Sequence, residues 1–493
     1  MFIKFIFVKR IMIALVVISM GFIACNKLVD IDPPVANLTT LTAFSDDNAA
    51  IAVMTGHFSA LSNESFFTSF TGVPIFTGLS SDELTLWEGS SNESLISYYK
   101  NALFSNAGGS AGDECWPFPK IYACNTVIEG VASSNSLSLS VKNQLLGEAK
   151  FMRALYFFYL VNLYGDVPLP LNTDFEVNRL LSRRSKKDVY KQIIADLLDA
   201  QSLLSIDFLN GGLKKYLPNV IAERVRPTKW AAAALLARAY LYNGDYVNAE
   251  LSASSVIDNT SLFGLVTLND VFKKNSREAI WQLQPVAAGM NTCDGAVFIL
   301  SDAGPTEYSP VYVSKFLLNS FEAGDKRNVT GNWINSVTVL GTTYFYPYKY
   351  KLGLGSEPGT EYLMMLRLGE LYLIRAEARA QQNNIPGSVA DINMIRARAR
   401  AAATVDVPDP LPNLPGALTK EQLMAAIIHE RQVELFAEWG HRWFDLKRTG
   451  KVDAIMSVVT PLKGGAWELT DQVYPIPNFD ILRNPNLVQN AGY

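Results

Sequence analysis

The chain contains few of the residues that enzymes and metal centres use most often. Three histidines and four cysteines occur among its 493 residues. It has no H-E-x-x-H zinc motif, no phosphate-binding loop and no cluster of histidine and cysteine ligands. Cys115 and Cys124 lack a close third and fourth ligand, so we predict that they are small buried residues. The sequence therefore predicts no metal site and no cofactor.

The chain also lacks an excess of basic residues and, beyond its N-terminus, any apolar run long enough to span a bilayer. Its formal net charge is -4. Because phosphate binding requires a basic face, this balance argues against nucleic acid as a partner. Three cysteines remain besides Cys25, and three cannot all pair, so we predict no disulfide framework. The sequence leaves open whether two of Cys115, Cys124 and Cys293 pair.

The N-terminus is typical of a secretory leader. Basic residues precede an apolar stretch at 11–24, and the motif F-I-A-C at 22–25 looks like a lipobox, with phenylalanine where leucine is usual. We expect 1–24 to be a signal peptide and Cys25 to carry a lipid that anchors the protein to a membrane. The polar, proline-containing residues 25–42 are expected to be a tether. An ordinary signal peptide with a chance cysteine is the alternative.

The remaining residues, 43–493, are predicted to form a single, mostly α-helical domain. Helical patterns occupy long segments between Gly-, Ser- and Asn-rich connections: 148–164, 228–242, 247–257, 364–382, 388–401 and 419–439, the last with a capping box of Thr419 and Gln422. Residues 236–249 resemble a tetratricopeptide unit, in which small alanines let paired helices approach. The irregular period predicts a degenerate helical-repeat scaffold with loop-rich connections and few short strands. An unrelated helical bundle is the alternative.

One short pattern is shared with hydrolases. Residues 108–112 match G-x-S-x-G, the nucleophile elbow, which needs an apolar strand before it and a helix directly after it. Neither pattern flanks these residues, so we predict a flexible Gly/Ser loop. The sequence thus predicts a protein that is not an enzyme.

Charged residues concentrate near the C-terminal end of the helical region. This ion-pair motif comprises Glu430, Arg431, Glu434, Arg442, Asp445 and Arg448. A carboxylate-pair active site is one interpretation. We favour a structural network that locks the helix at 419–439 to the segment after it, because guanidinium groups pair bidentately with carboxylates. We expect Arg375 to pair with Glu377 or another buried carboxylate.

Several segments together resemble the SusD/RagB family of outer-membrane nutrient-binding lipoproteins. They lie in the family's order along the chain: the leader, 148–168, 227–246, 367–378, 392–399, 430–448 and the tail 484–493. The resemblance implies a tetratricopeptide-like scaffold with an N-terminal SusD-like region at about 43–220 and a C-terminal region at about 270–493. It implies a loop-rich, nutrient-binding face and a position on the cell surface over a TonB-dependent transporter.

An oligosaccharide is the predicted ligand, and a peptide is the alternative. Sugar rings require flat aromatic side chains beside polar groups on loops held by a rigid scaffold. Trp87 is the leading candidate, and the others are Asp82, Glu83, Trp116, Tyr308 and Trp333. Core packing is the alternative for each aromatic residue, and we expect Trp230 and Trp281 to be core. A secreted hydrolase and a purely structural repeat protein are the rival classes.

Overall fold

The structure is a computed structural model that describes residues 43–64, 67, 69–106, 109–356 and 358–493. The predicted signal peptide, the lipidated Cys25 and the tether at 25–42 lie outside these residues.

Helices dominate the described chain. In chain order they are α1 Asp47–Ser62, α2 Val73–Ser80, α3 Glu93–Lys100, α4 Phe118–Ser133, α5 Leu139–Tyr164, α6 Phe175–Asn178, α7 Lys186–Leu203, α8 Lys229–Tyr242, α9 Tyr246–Ile257, α10 Cys293–Phe298, α11 Lys315–Leu318, α12 Leu368–Gln381, α13 Ile385–Ala399, α14 Lys420–Leu435, α15 His441–Arg448, α16 Val452–Leu462 and α17 Asn478–Arg483.

The strands are short and pair in twos. They are β1 Leu84–Leu86, β2 Phe104–Asn106, β3 Gly109–Ala111, β4 Ala279–Leu283, β5 Val311–Val313, β6 Ile334–Val339, β7 Thr342–Pro347 and β8 Leu363–Arg367. The antiparallel pairs are β1–β5, β2–β3, β4–β8 and β6–β7. Two of these pairs join segments that are far apart in sequence.

Local sequence signals explain where the helices begin and end. At α14 the predicted capping box is confirmed: Gln422 N–H donates to Thr419 Oγ1 at 3.2 Å, and Thr419 N–H donates to Gln422 Oε1 at 3.0 Å. The Asp245 side chain caps α9 by accepting the Asn248 N–H at 3.2 Å. Helix α5 ends at Tyr164 and is followed by the C-cap Gly165, whose φ of 76° suits a residue without a Cβ.

Successive helices pack side by side into a repeat scaffold. Contacts run from α4 to α5, α7, α8, α9, α12 and α13 in turn, and α14 packs against α12. The run Ala231–Ala234 of α8 is fully buried, so its small side chains let the neighbouring helices approach closely. The mostly α-helical, tetratricopeptide-like fold is therefore confirmed. Within the described chain, no helix combines the length and apolarity needed to cross a membrane.

The helix predicted for 388–401 begins earlier, at Ile385, where the Asn384 side chain caps it. Two further predicted helix boundaries are wrong. Residues 363–367 form β8 instead of the first turn of a helix, because they pair with β4. The helix predicted for 419–439 ends at Leu435, since Ala437 and Trp439 adopt positive φ angles of 54° and 44°. Both differences arise from tertiary contacts that override local propensity.

The segment between α9 and α12, residues 258–367, carries most of the strands and packs onto the N-terminal part of the chain through β1 and β5. Trp281 on β4 is fully buried, as predicted. Trp230 is only partly buried, and its indole N–H donates to the Ile206 carbonyl at 2.9 Å. The loop-rich part is thus assembled from sequence-distant segments against the helical scaffold.

Cys115 and Cys124 are buried and unpaired, and Cys293 is also a free thiol. This confirms the prediction for Cys115 and Cys124. The described part of the G-x-S-x-G pattern, Gly109–Ala111, forms β3 against β2, and the next helix begins at Phe118. A nucleophile elbow requires a helix directly after the serine, so this geometry does not match one.

Candidate functional site

The paired strands β1 and β5 turn one row of side chains to the interior and the other to the surface. Leu84 and Leu86 are buried, whereas Thr85 and Trp87 are partly exposed. On β5 the partner of Thr85 is Tyr312, which is partly exposed between two buried valines. Because side chains alternate along a strand, Thr85, Trp87 and Tyr312 share one outward face.

Trp87 is held at the edge of this face. Its backbone N–H donates to the Pro310 carbonyl at 2.7 Å, which extends the β1–β5 pairing by one residue. Its indole lies over Gly89: a Cβ at that glycine would stand 2.3 Å from Trp87 Cζ2. The ring therefore occupies space that only glycine leaves free.

The loop that follows Trp87 is tied to a second loop, residues 301–310. The Ser91 N–H donates to Glu307 Oε1 at 2.7 Å, and the Ser90 hydroxyl donates to Glu307 Oε2 at 3.1 Å. These hydrogen bonds lower the pKa of Glu307, and the largest contribution comes from the Ser91 backbone N–H. The next residue, Tyr308, is 84% exposed. Glu307 thus holds the two aromatic-bearing loops together.

Three tyrosines extend the surface. The rings of Tyr312 and Tyr344 meet edge to face with centroids 5.2 Å apart. Burial raises the pKa of Tyr312 to about 12, and Glu88, Tyr99 and Tyr344 add to the shift. Burial also raises the pKa of Tyr99; a hydrogen bond with Thr85 opposes this shift and the charge of Glu88 adds to it. We call Trp87, Tyr99, Tyr308, Tyr312 and Tyr344 the aromatic face.

Three of these residues, Tyr99, Tyr312 and Tyr344, were missed by sequence reasoning, as was the role of Glu307. The available signal was the alternation V-Y-V at 311–313, which predicts an outward tyrosine between two inward valines. The pairing of β5 with β1, across more than two hundred residues, has no local signal.

Three predicted ligand-binding residues lie in the interior, and the structure corrects them. Asp82 is 4% exposed, and Arg442 Nε and Nη2 donate to its two oxygens at 2.7 and 2.6 Å. Glu83 is 3% exposed and accepts the Ala437 N–H. Neither carboxylate reaches the surface, because the polar segment 80–83 turns inward toward the residues that follow α14.

Trp333 is the third correction. It is 0% exposed, and its indole N–H donates to the Leu268 carbonyl at 2.9 Å. The Lys349 ammonium and the Arg398 guanidinium lie 4.6 and 5.2 Å from its ring centroid. Its ring is therefore packed among buried cations and offers no face to a ligand.

Trp116 is partly buried and lies apart from these strands. Its ring stacks on Phe118 with centroids 4.7 Å apart and meets Tyr164 edge to face at 4.8 Å. These contacts are those of a packing residue, so Trp87 and Tyr308 are the predicted candidates that the structure brings together.

The ion-pair motif lies in the interior, where Arg431 and Arg448 donate to the two oxygens of Asp445 at 2.7 and 2.8 Å. The Arg431–Asp445 pair connects α14 to α15, whereas the Arg448–Asp445 pair lies within α15. Glu430 and Glu434 face the other way, toward Arg327 at 2.7 and 2.9 Å. Arg442 pairs outside the motif, with Asp82. The motif therefore links the last helices both to each other and to distant segments.

The Glu434 carboxylate is the centre of this network. It accepts hydrogen bonds from Arg327, Arg367 and Arg398. Burial alone would raise its pKa, but the three guanidinium groups hold the pKa of Glu434 below its ordinary value. Arg375 pairs with Asp391 at 2.7 Å, while Glu377 pairs with Arg448. Asp391 is thus the buried carboxylate that pairs with Arg375, and Asp258 lies at 3.3 Å from the same guanidinium group.

Two of the three histidines, His57 and His441, are buried in surroundings that disfavour their protonated form. Burial, with Lys120 nearby, lowers the pKa of His57 to about 4, and burial, with Arg238 and other cations, lowers that of His441. Such groups accept a proton poorly at neutral pH. In the part of the chain that the structure describes, no group of three or more His, Cys, Asp or Glu side chains is arranged to hold a metal ion.

Two family models match separate parts of the chain. The model described as SusD family matches residues 308–493. The model described as starch-binding associating with outer membrane matches residues 114–241.

Individual relatives agree with these matches. The SusD-like protein P2 of Formosa agariphila is 26% identical, over 98% of this chain and 100% of its own. The starch-binding protein SusD of Bacteroides thetaiotaomicron is 34% identical, over 28% of this chain and 22% of its own. The solved structure of a laminarin-binding SusD-like protein superposes with a TM-score of 0.69 at 21% identity, covering 91% of this chain and 100% of that protein. At 21% identity, the similarity to this solved structure shows a shared fold and nothing more.

Proposed function

The chain belongs to the SusD/RagB family, and from this membership we propose that it is a cell-surface protein that binds an oligosaccharide and delivers it to a TonB-dependent outer-membrane transporter. The observation that carries the proposal is the aromatic face, where strands and loops far apart in sequence bring exposed and half-exposed rings together beside carboxylates.

This chemistry suits sugars. The faces of pyranose rings are apolar and stack on aromatic rings, while their hydroxyl groups donate hydrogen bonds to carboxylates. Tyr308 and Trp87 supply the rings, and Glu88 is exposed beside them. Relatives whose names state starch or laminarin binding support a glycan as the ligand.

Calorimetry with starch- and laminarin-derived oligosaccharides tests the proposal. We expect the parent protein to bind at least one of them. Tyr308→Ala and Trp87→Ala should each weaken binding about three- to tenfold, because one stacked ring contributes on the order of 1 kcal/mol. Tyr122→Ala is the matched control, since Tyr122 is also exposed, at 54%, but lies on α4.

The outcome separates the alternatives. Parental affinity in both variants would place the site elsewhere. A parent that binds peptides but none of the glycans would favour the peptide ligand. If chromatography detects shorter sugars released from the oligosaccharide, the protein is a hydrolase. An absence of any binding would leave a structural role.

The lipid anchor is a separate part of the proposal. It is supported by the lipobox-like sequence at 22–25 and by the family model whose description includes the outer membrane. We expect Cys25→Ala to move the protein from the membrane fraction to the soluble fraction. A Cys25→Ala protein that sediments with membranes as the parent does would overturn the anchor and leave the glycan proposal intact.

The transporter partner is supported by family membership alone. We expect the protein to co-purify with a TonB-dependent barrel from outer membranes solubilised in mild detergent. Recovery of the protein without a barrel, from membranes in which other lipoprotein complexes survive, would contradict this partner.

A further inference from the structure

The segments that carry the aromatic face contain acidic residues, and basic residues stand only at their borders. Three segments build this surface: 84–99 with β1, 299–314 with β5, and 333–348 with β6 and β7. Their charged residues are Glu88, Glu93, Asp302 and Glu307, without a lysine, arginine or histidine. All four of these residues are exposed. The three segments therefore contribute only negative charge to the surface.

The carboxylates lie close to the rings. The charge of Glu88 contributes to the raised pKa values of both Tyr99 and Tyr312. Glu307 directly precedes Tyr308 and is fixed by Ser90 and Ser91. A ligand that stacks on these rings would thus lie within the field of these carboxylates.

Two exposed lysines border the three segments: Lys100 directly follows Tyr99, and Lys315 directly follows Ser314. The other neighbouring cations are engaged elsewhere. Lys349 follows the third segment, but it is buried and its ammonium group donates to Glu438 and to the Glu434 carbonyl. The Lys463 ammonium nitrogen lies 5.2 Å from the centroid of the Tyr99 ring. This ammonium group donates to the backbone carbonyls of Leu79 and Ser81. Neither of these two amino groups is directed to a ligand on the aromatic face, and the four exposed carboxylates outnumber the two exposed lysines.

We infer that the aromatic face selects uncharged oligosaccharides and rejects glycans that carry sulfate or uronate groups; this inference rests on the proposed glycan-binding function. Hydroxyl groups of a neutral sugar can donate to Glu88 and Asp302. A sulfate or carboxylate on the same backbone would be repelled, because the exposed carboxylates of this surface outnumber its exposed lysines and the three segments contain no arginine to pair with it.

Matched pairs of glycans test this selectivity. Laminarin and soluble amylose oligosaccharides are each compared with their sulfated derivatives by calorimetry at low ionic strength. We expect the sulfated form of whichever backbone binds to be at least about tenfold weaker. The difference should shrink as salt is raised, because mobile ions screen exposed charges.

Charge reversal on the face identifies the cause. Glu88→Lys combined with Asp302→Lys should bring the sulfated form to within about threefold of the neutral form. Glu176→Lys is the control, because Glu176 is an exposed acidic residue on α6, outside the three segments. It should leave the selectivity unchanged.

The possible failures are distinguishable. Sulfated forms that bind the parent as tightly as the neutral forms, or more tightly, would overturn the selectivity and leave glycan binding standing. Equal effects of the double variant and of Glu176→Lys would also overturn it, since only net charge would then matter. If neither form of either backbone binds, the proposed function fails and the inference fails with it.

Discussion

The ion-pair motif of α14 and α15 and the aromatic face of β1, β5 and β7 use the same kinds of side chain, carboxylates beside aromatic rings. In the motif each carboxylate meets a guanidinium group in the interior, as Glu434 meets Arg367. On the aromatic face Glu88 and Asp302 are exposed, and the segments around them contain no basic residue. The two regions differ in burial and in the presence of arginine.

Trp333 and Trp87 show what this difference means for a single residue type. Both lie in polar, loop-like sequence with acidic or basic neighbours. Trp333 is enclosed by the cations of the ion-pair region and is fully buried, whereas Trp87 ends a surface strand and rests on Gly89. An aromatic residue near charge is therefore a binding candidate only where the charges are not already paired in the interior.

The largest expected effect comes from breaking the buried region. Glu434→Ala leaves Arg327, Arg367 and Arg398 without their shared carboxylate, so the free energy of unfolding should fall by about 3–5 kcal/mol. Urea denaturation measures it. Glu176→Ala, which removes an exposed ion pair with Arg179, should cost less than about 1 kcal/mol. Similar losses in both variants would contradict the contrast between buried and exposed carboxylates.

A smaller effect is expected at Glu83, a buried carboxyl that forms no ion pair with any residue the structure describes. Burial raises its pKa to about 8 from an ordinary 4.5, against the opposing hydrogen bond from Ala437 and the charge of Lys349. The folded protein then retains a proton that the unfolded chain releases. The contribution of Glu83 to the free energy of unfolding should therefore decrease as pH rises from about 4.5 to about 8.

Glu83→Gln tests this dependence. Glutamine mimics the protonated carboxyl, so the variant should lose that part of the pH dependence and be more stable than the parent at about pH 8, by on the order of 1 kcal/mol or more. Thermal unfolding across this pH range measures it. Parallel pH profiles for parent and variant would show that Glu83 is ionised in the folded protein.

On the aromatic face, a change at Gly89 should affect binding rather than stability. A methyl group there would meet the Trp87 ring at 2.3 Å, so Gly89→Ala must displace the ring. We expect glycan affinity to fall several-fold, by about 1 kcal/mol, with little change in unfolding. Gly416→Ala is the matched control, because a Cβ at Gly416 would meet nothing within 4 Å. Unchanged affinity in Gly89→Ala would remove Trp87 from the site.

The smallest effect is expected at the link between the two loops. Glu307→Ala removes the acceptor for Ser90 and Ser91, and the looser loops should weaken glycan binding about two- to fivefold. Glu307→Gln keeps one side-chain acceptor and should recover part of the affinity. A glutamine variant as weak as the alanine variant would point to the charge of Glu307 instead of its positioning role.

Much of the fold was predictable from local patterns. Helix periodicity, the capping box at Thr419 and the alanine run of α8 act within a few residues, so they are visible in sequence. The errors occurred where distant segments meet. Residues 363–367 became β8 because β4 was available to pair with them. The polar residues Asp82 and Glu83 became interior because Arg442 and Ala437, both about 350 residues later, supply their partners.

Patterns in the sequence are enough to predict the mostly helical scaffold, the resemblance to the SusD/RagB family and the kinds of side chain available for binding. They also place Trp87 and Tyr308 among the candidates. Tertiary packing sets which aromatic residues share a surface, because the β1–β5 pairing and the Glu307 hydrogen bonds join segments more than two hundred residues apart. It likewise decides which carboxylates remain free to meet a ligand, since pairing in the interior depends on arginines that no local pattern locates.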